Sequence, residues 1–139
     1  MGAVLPDERT IEFLLAFDGR IHHFGWGYWV KFEIKRTPPT PERPHGLRYA
    51  LTLHDPDSSR LVGFDNAHGV PAQGSRYRRP GIEHDHWHRS AGDAGRPYRF
   101  VSADQLLVDF EREVARVLAE HGISDAVIGE SRVAERGSS

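Results

Sequence analysis

The strongest constraint on this fold is an alternation of apolar and polar residues in two segments that a proline-rich loop separates. Within residues 26–35, every second residue from Val30 to Ile34 is apolar, and the residues between them are charged. In Leu47–Leu53, every odd position is leucine or tyrosine. A period of two predicts half-buried strands. Prolines at 38, 39, 41 and 44 lack amide donors, so residues 37–46 form a loop.

Two further segments extend this pattern. Arg60–Asp65 predicts a third strand, and the histidine-rich residues 84–88 predict a fourth short strand or an ordered loop. The connections between the first three strands are too short for crossover helices, so these strands should pair antiparallel as a meander.

One long helix follows the strands. Ser102 is a good N-cap, and Gln105 three residues later completes the pattern of a capping box. The pattern predicts a helix over Ala103–Glu120 that ends at Gly122. Apolar residues recur at helical spacing along it, and they should face the sheet as core: Leu106, Leu107, Phe110, Val114, Val117 and Leu118.

These elements predict an α+β fold, in which an antiparallel sheet of four to five strands carries one long C-terminal helix. A length of 139 residues fits a single domain, residues 1–139, with an ordered core at 10–121 and a flexible tail at 122–139.

Composition excludes several classes of protein. The chain has no cysteine, which rules out disulfides and thiolate zinc sites. A net charge of −2 gives no overall preference for nucleic acid, although a local basic patch stays compatible with it. No apolar run approaches the roughly 20 residues of a membrane helix, and the N-terminus lacks the pattern of a secretion signal. We therefore expect a cytoplasmic protein.

The segment IEHDHWHRS, residues 82–90, is the main candidate for chemistry. If it is extended, His84, His86 and His88 lie on one face, and Asp85 lies on the other. Three histidines at this spacing fit a zinc site. Two of them fit a base and an acid for RNA cleavage at a 2′-hydroxyl, with arginines holding the phosphate. The third interpretation is a surface without chemistry, or one that contacts a partner.

The order of three short motifs resembles the TumE family of toxins from prokaryotic toxin–antitoxin modules. The motifs are Gly63-Phe64-Asp65-Asn66, Asp85-His86-Trp87-His88 and Pro97-Tyr98-Arg99-Phe100, and the likeness covers roughly residues 18–118. This chain has Glu83-His84 where the family usually has a glycine–lysine pair, and its loop at 67–83 is longer. The resemblance implies a toxin that a helix-turn-helix antitoxin, encoded beside it, neutralises. Ribonuclease activity follows only by analogy with other small antiparallel-sheet toxins.

The leading hypothesis is the toxin of a type II toxin–antitoxin module that acts as a metal-independent ribonuclease without a cofactor. Its partners would be the antitoxin and RNA, with no membrane, and a homodimer is an open alternative. The alternatives are a metal-dependent nuclease with zinc at His84, His86 and His88, and a non-catalytic binding protein. The residues assigned to the ribonuclease site are His86 and His88 as base and acid, Asp85 in an orienting role, Asp65 on the neighbouring strand, and Arg89, Arg78, Arg79 and Asn66 for substrate.

Overall fold

The computed structural model describes residues 7–41, 45–66, 85–88 and 96–133. Within these ranges the chain forms two helices, seven strands and one short 3-10 turn. In chain order they are α1 (Asp7–Leu15), β1 (Arg20–His23), the turn (Gly25–Gly27), β2 (Trp29–Arg36), β3 (Leu47–His54), β4 (Arg60–Asp65), β5 (His86–His88), β6 (Arg96–Pro97), α2 (Ala103–Glu120) and β7 (Gly129–Arg132).

The described strands form one sheet in the order β6-β5-β4-β3-β2-β1-β7. Strands β1 to β6 follow each other as an antiparallel meander, and β7 returns to pair antiparallel with the outer side of β1. The α+β class and the antiparallel sheet are therefore confirmed. The number of strands is higher than the predicted four to five, because β7 and the two-residue β6 add pairs at the two ends of the sheet.

The hydrophobic core lies between one face of the sheet and the two helices. The apolar residues of β2 and β3 are buried at alternate positions, as their period predicts. The stripe of α2 packs against them, and all six predicted stripe residues are buried. Phe32, Phe64 and Phe110 meet edge to face at the centre, with ring centroids 5.8 to 6.0 Å apart for the pairs that include Phe110.

Helix α2 begins and ends where the sequence predicts. The Ser102 hydroxyl accepts a hydrogen bond from the amide of Gln105 at 3.2 Å. The Gln105 side chain does not return to Ser102 but donates to Asp109 Oδ1 at 2.8 Å, so only half of the capping box forms. Gly122 has a φ of +74°, a left-handed conformation that glycine adopts without steric cost.

Helix α1 and strand β7 have no counterpart among the predicted elements. The apolar run Thr10–Phe17 lies largely in helix α1, which buries Leu14 and contacts α2. Residues 16–19 form the turn between α1 and β1. Strand β7 lies in the segment 122–139 that was expected to be a flexible tail. None of the helices in the described ranges is long and apolar enough to cross a membrane.

Candidate functional site

The helices cover one face of the sheet, and we call the other one the open face. The register aligns alternate residues of neighbouring strands on it, for example Lys31 with Thr52, Thr52 with Gly63, and Gly63 with His88. The described side chains of the open face in the four central strands are Trp29, Lys31, Glu33 and Lys35 of β2, Arg48, Ala50, Thr52 and His54 of β3, Arg60, Gly63 and Asp65 of β4, and His86 and His88 of β5.

Two predicted histidines and the predicted aspartate come together on the open face. Asp65 lies opposite His86 in the pairing of β4 with β5, and its Oδ2 lies 3.3 Å from Nε2 of His88. The side chains of His88 and Asp65 are only 13% and 18% exposed. Asp65 can therefore fix the orientation of the His88 ring through a hydrogen bond from Nε2.

Arg60 lies beside this group. A Cβ atom added to Gly63 would sit 3.1 Å from Cδ and 3.4 Å from Nε of Arg60, so the arginine side chain crosses directly over the glycine. Gly63 is the residue opposite His88. The absence of a side chain at Gly63 thus brings a guanidinium group, a good donor to phosphate oxygens, close to the histidines.

Cations outnumber anions on the open face. Its described charged residues are the cations Lys31, Lys35, Arg48 and Arg60 and the anions Glu33 and Asp65. Two of the lysines have acidic partners: Lys31 Nζ lies 2.9 Å from Glu33, and Lys35 Nζ lies 2.9 Å from Asp18. With Asp18 included, the described charges are four cations and three anions, an excess of one positive charge in a chain whose net charge is −2, which suits an anionic ligand.

A flat aromatic pair, Trp29 and His54, lies in the row of residues next to that of His88, a distance of two residues along the strands. The rings of Trp29 and His54 stack with their centroids 4.0 Å apart and an interplanar angle of 12°. The Nε2 atom of His54 lies 2.9 Å from the hydroxyl of Thr52. Burial lowers the pKa of His54, and the nearby cations Lys31 and Arg60 lower it further, so the ring is mainly uncharged at neutral pH.

Asp85 faces the core rather than the open face, as strand alternation predicts. It is 4% exposed, and its Oδ2 accepts hydrogen bonds from the hydroxyl of Tyr49 at 2.5 Å and from Nε2 of His45 at 3.2 Å. The amide of Leu47 donates to Nδ1 of His45, so the ring proton is on Nε2. Burial, followed by the charge of Asp85, raises the pKa of Tyr49 far above its usual range and keeps it a donor.

The hydrogen bonds of Asp85 with Tyr49 and His45 attach β5 to the fold on its core side. Phe100 packs on the ring of His45 with centroids 4.1 Å apart, and the main-chain oxygen of Asp85 accepts a hydrogen bond from the amide of Tyr98 at 2.8 Å. The hydroxyl of Tyr98 donates to Asp109 of α2 at 2.6 Å. The Asp-His-x-His and Pro-Tyr-x-Phe motifs are therefore parts of one structural unit.

Asn66 was assigned to substrate, but its side chain is engaged in the fold. It is 2% exposed; its Oδ1 accepts from the amide of Tyr49 at 2.9 Å, and its Nδ2 donates to the carbonyl of Leu47 at 2.8 Å. The side chain thereby extends the hydrogen bonding of β4 with β3 beyond the end of the strand. We assign it a structural role.

Several predicted residues lie outside the described ranges: His84, Arg78, Arg79 and Arg89. The alternative zinc site needs His84, so only two of its three predicted ligands, His86 and His88, lie in the described ranges. Within the described residues, no group of three or more histidine, aspartate or glutamate side chains is arranged to hold a metal ion.

Sequence reasoning missed His45, Tyr49, Arg60 and His54 as parts of a site; Trp29 belongs to an aromatic group, residues 24–29, for which base stacking is an open alternative to packing in the fold. The local pattern does not mark His45, Tyr49 or His54, because each lies in a predicted loop or strand, or at the end of a strand, with no distinguishing motif. The glycine in the middle of β4 was the one available signal, since a glycine inside a strand indicates close approach by another group.

A cavity of about 240 Å³ lies on the opposite, helix-covered face. Its walls are mainly apolar side chains of β2 and α2, with His22, Glu111 and Asp125 among the polar residues that line it. Burial raises the pKa of Glu111, and the charge of His22 partly offsets this. The described lining residues include one histidine but no lysine or arginine, so the open face is the better candidate for chemistry on an anion.

Fold and site together define a small α+β protein with an open, basic sheet face on which two histidines, an aspartate and an arginine converge. The family model described as toxin TumE matches residues 16–118. This range is more than half of the 139 residues, and it includes all three motifs, so the chain belongs to the TumE family of toxins. The predicted family is confirmed. No curated protein and no solved structure matches the chain.

Proposed function

We propose that this chain is the toxin of a type II toxin–antitoxin module and that it acts as a metal-independent ribonuclease on its open face. The observation that carries the proposal is the convergence of His86, His88, Asp65 and Arg60 on one basic surface. Imidazoles exchange protons near neutral pH, and a guanidinium group holds phosphate, which are the requirements for cleaving RNA without a metal.

In the proposed reaction, His86 and His88 act as base and acid. The neutral imidazole takes the proton of the ribose 2′-hydroxyl, and O2′ forms a bond to phosphorus. The bond from phosphorus to the 5′-oxygen breaks, and the protonated imidazole gives its proton to that oxygen. The products are a 2′,3′-cyclic phosphate and a free 5′-hydroxyl. Neighbouring histidines on the same face of a strand are about 6.5 to 7 Å apart at Cα, which leaves room for a phosphate between the rings.

Arg60 and Asp65 support these two groups. Arg60 binds the reacting phosphate and neutralises the charge that develops on it. Asp65 orients the ring of His88 and does not itself exchange a proton with RNA. Asp85 holds β5 in place from the core side.

The test is cleavage of a short fluorescent RNA with a chelator present. His86→Ala and His88→Ala should each lose about 100-fold or more in rate, the usual size of a general acid–base contribution. The wild-type rate should be bell-shaped in pH, because one imidazole must be neutral while the other is protonated.

The control is His121→Ala, since His121 is exposed at the end of α2 and its ring hydrogen-bonds Tyr28 away from the open face. His22→Ala is a poor control, because its ring packs 5.0 Å from that of Phe32. Full cleavage by both histidine variants would refute the ribonuclease proposal. Loss of cleavage with chelator, restored by zinc, would favour the metal-dependent alternative.

The proposed partner is a helix-turn-helix antitoxin encoded beside this chain. Expression of the toxin alone should arrest growth, and expression of the neighbouring gene with it should restore growth. The His86→Ala variant should be harmless but still bind the antitoxin. Growth arrest by His86→Ala equal to the wild type, with no RNA cut, would favour a binding protein without catalysis.

A further inference from the structure

We propose that Trp29 and His54 form a base-stacking subsite for single-stranded RNA, whose backbone runs from this pair past Arg60 to His86 and His88. The inference rests on the proposed ribonuclease function and names the class of substrate that the open face accepts.

The first argument is the form of the aromatic pair. The two rings are nearly parallel, at 12°, and in van der Waals contact, at 4.0 Å between centroids. A hydrogen bond of 2.9 Å between Nε2 of His54 and the Thr52 hydroxyl orients the imidazole against the Trp29 ring. Both residues are partly exposed on the face of the sheet that the helices leave uncovered. A rigid flat aromatic surface favours stacking by a nucleobase and is indifferent to which base it is.

The second argument is the position of the pair relative to the histidines. In the sheet register, Trp29 lies opposite His54 and His54 lies opposite Arg60, while the adjacent row runs through Lys31, Thr52, Gly63 and His88. With strands about 4.8 Å apart and about 6.7 Å between residues on one face, His54 and His88 are separated by ~12 Å at Cα. This distance equals the rise of about three to four stacked nucleotides.

The third argument is the cation between the two ends. The Arg60 side chain extends from the row of Trp29 and His54 across Gly63 into the row of His88. A strand that stacks a base on the aromatic pair and places a phosphate at the histidines must therefore pass the guanidinium group. Lys31 lies in the same row as His88 and offers a second, partly neutralised cation.

The substrate follows from these positions. Bases in a duplex are stacked on each other and are not available to a protein ring, so a stacking subsite selects unpaired RNA. Burial also lowers the pKa of His54, so the pair remains uncharged at neutral pH and contributes stacking rather than charge.

The test uses a single-stranded oligonucleotide of about eight 2′-O-methyl nucleotides, which has no 2′-hydroxyl to react and so reports binding alone. Trp29→Ala should bind it roughly 5- to 150-fold more weakly than the wild type, the range for loss of one base–aromatic stack. Trp29→Phe should keep most of the affinity, and this variant also guards against loss of folding in Trp29→Ala. In cleavage of RNA, Trp29→Ala should raise KM and leave kcat within a few fold.

Tryptophan fluorescence supplies an independent readout. The chain has three tryptophans; Trp26 is 83% exposed in the turn between β1 and β2, and Trp87 is partly buried and stacks on Phe64. Binding of the oligonucleotide should quench the wild-type signal. The quenching should persist in the control variant Trp26→Phe and disappear in Trp29→Phe.

The outcomes separate this inference from the proposed function. Unchanged affinity in Trp29→Ala together with unchanged quenching in Trp29→Phe, with wild-type protein that cuts RNA, would overturn the stacking subsite and leave the ribonuclease standing. Binding that depends on Trp29 in a protein that cuts no RNA would support the subsite and refute the ribonuclease. A wild-type protein that neither binds nor cuts would overturn both.

Discussion

The buried hydrogen bond between Tyr49 and Asp85 gives the sharpest prediction about what fixes the site. The phenol donates to the carboxylate at 2.5 Å, and the two residues are 1% and 4% exposed. Tyr49→Phe removes the hydroxyl and keeps the ring, so packing should change little. Asp85→Asn keeps the shape of the side chain and removes the charge.

The expected magnitude follows from burial and charge. A hydrogen bond to a charged group contributes about 1.5–3 kcal/mol, and water cannot replace the donor at a site this buried. Tyr49→Phe should therefore lower the free energy of unfolding by about 2 kcal/mol. Asp85→Asn should cost at least as much, because it weakens the hydrogen bond from His45 as well.

A double-mutant cycle isolates the interaction. If the two groups bond directly, the double variant should be more stable than the sum of the single losses implies, by about 1 kcal/mol or more. Tyr28→Phe is the matched control: it removes the same hydroxyl, but from an exposed hydrogen bond to His121 at 3.0 Å, and its loss should add to that of Asp85→Asn. The measurement is equilibrium urea unfolding at neutral pH. A coupling below about 0.5 kcal/mol, the usual limit of additivity, would refute a direct bond that fixes β5.

Three further predictions concern other parts of the site. Gly63→Ala should displace the Arg60 side chain from its position over the glycine and lower the rate of RNA cleavage about tenfold. The free energy of unfolding in urea should change by less than about 1 kcal/mol. Unchanged cleavage would exclude Arg60 from phosphate binding. Asn66→Ala should lower the free energy of unfolding by roughly 2–5 kcal/mol, because it removes the side-chain partner of two main-chain groups of β3. A loss below about 1 kcal/mol in urea unfolding would contradict the structural role of Asn66. Burial raises the pKa of Tyr49, so its contribution to stability should be complete below about pH 10 and should decline above it, where the tyrosine of the unfolded chain ionises. Tyr49→Phe should flatten this decline in the free energy of unfolding measured from about pH 8 to 11. An identical slope in the two proteins would refute the raised pKa.

The parts of the fold that depend on local periodicity could be predicted from the sequence. Helix α2 matches its predicted bounds, and β2, β3 and β4 lie within a few residues of theirs, because each buries one face and so has an apolar period. Strand β7 has no such period: all four of its residues are exposed, and it exists through main-chain pairing with β1. Helix α1 is only nine residues long, and its run of apolar residues does not separate clearly into two faces.

Part of the candidate site could likewise be predicted from the sequence, and part could not. The proximity of Asp65 to the histidines could be predicted, because consecutive strands of a meander are neighbours. The position of Arg60 could not, since it depends on an irregularity between Leu53 and His54 that shifts the pairing of β3 with β4. The contact of His45 with Asp85 joins residues 40 positions apart through a loop, and no local pattern encodes it.

Alternation within β5 explains how a three-residue strand can carry a site. His86 and His88 face the open side, while Asp85 and Trp87 face the core, where Asp85 bonds Tyr49 and Trp87 stacks on Phe64 with centroids 5.8 Å apart. The core-facing residues Asp85 and Trp87 therefore attach β5 to the fold, while the contact of His88 with Asp65 orients its ring on the open face. It follows that substitutions at the histidines should change chemistry more than stability, and that substitutions at Asp85 should change stability first and chemistry as a consequence.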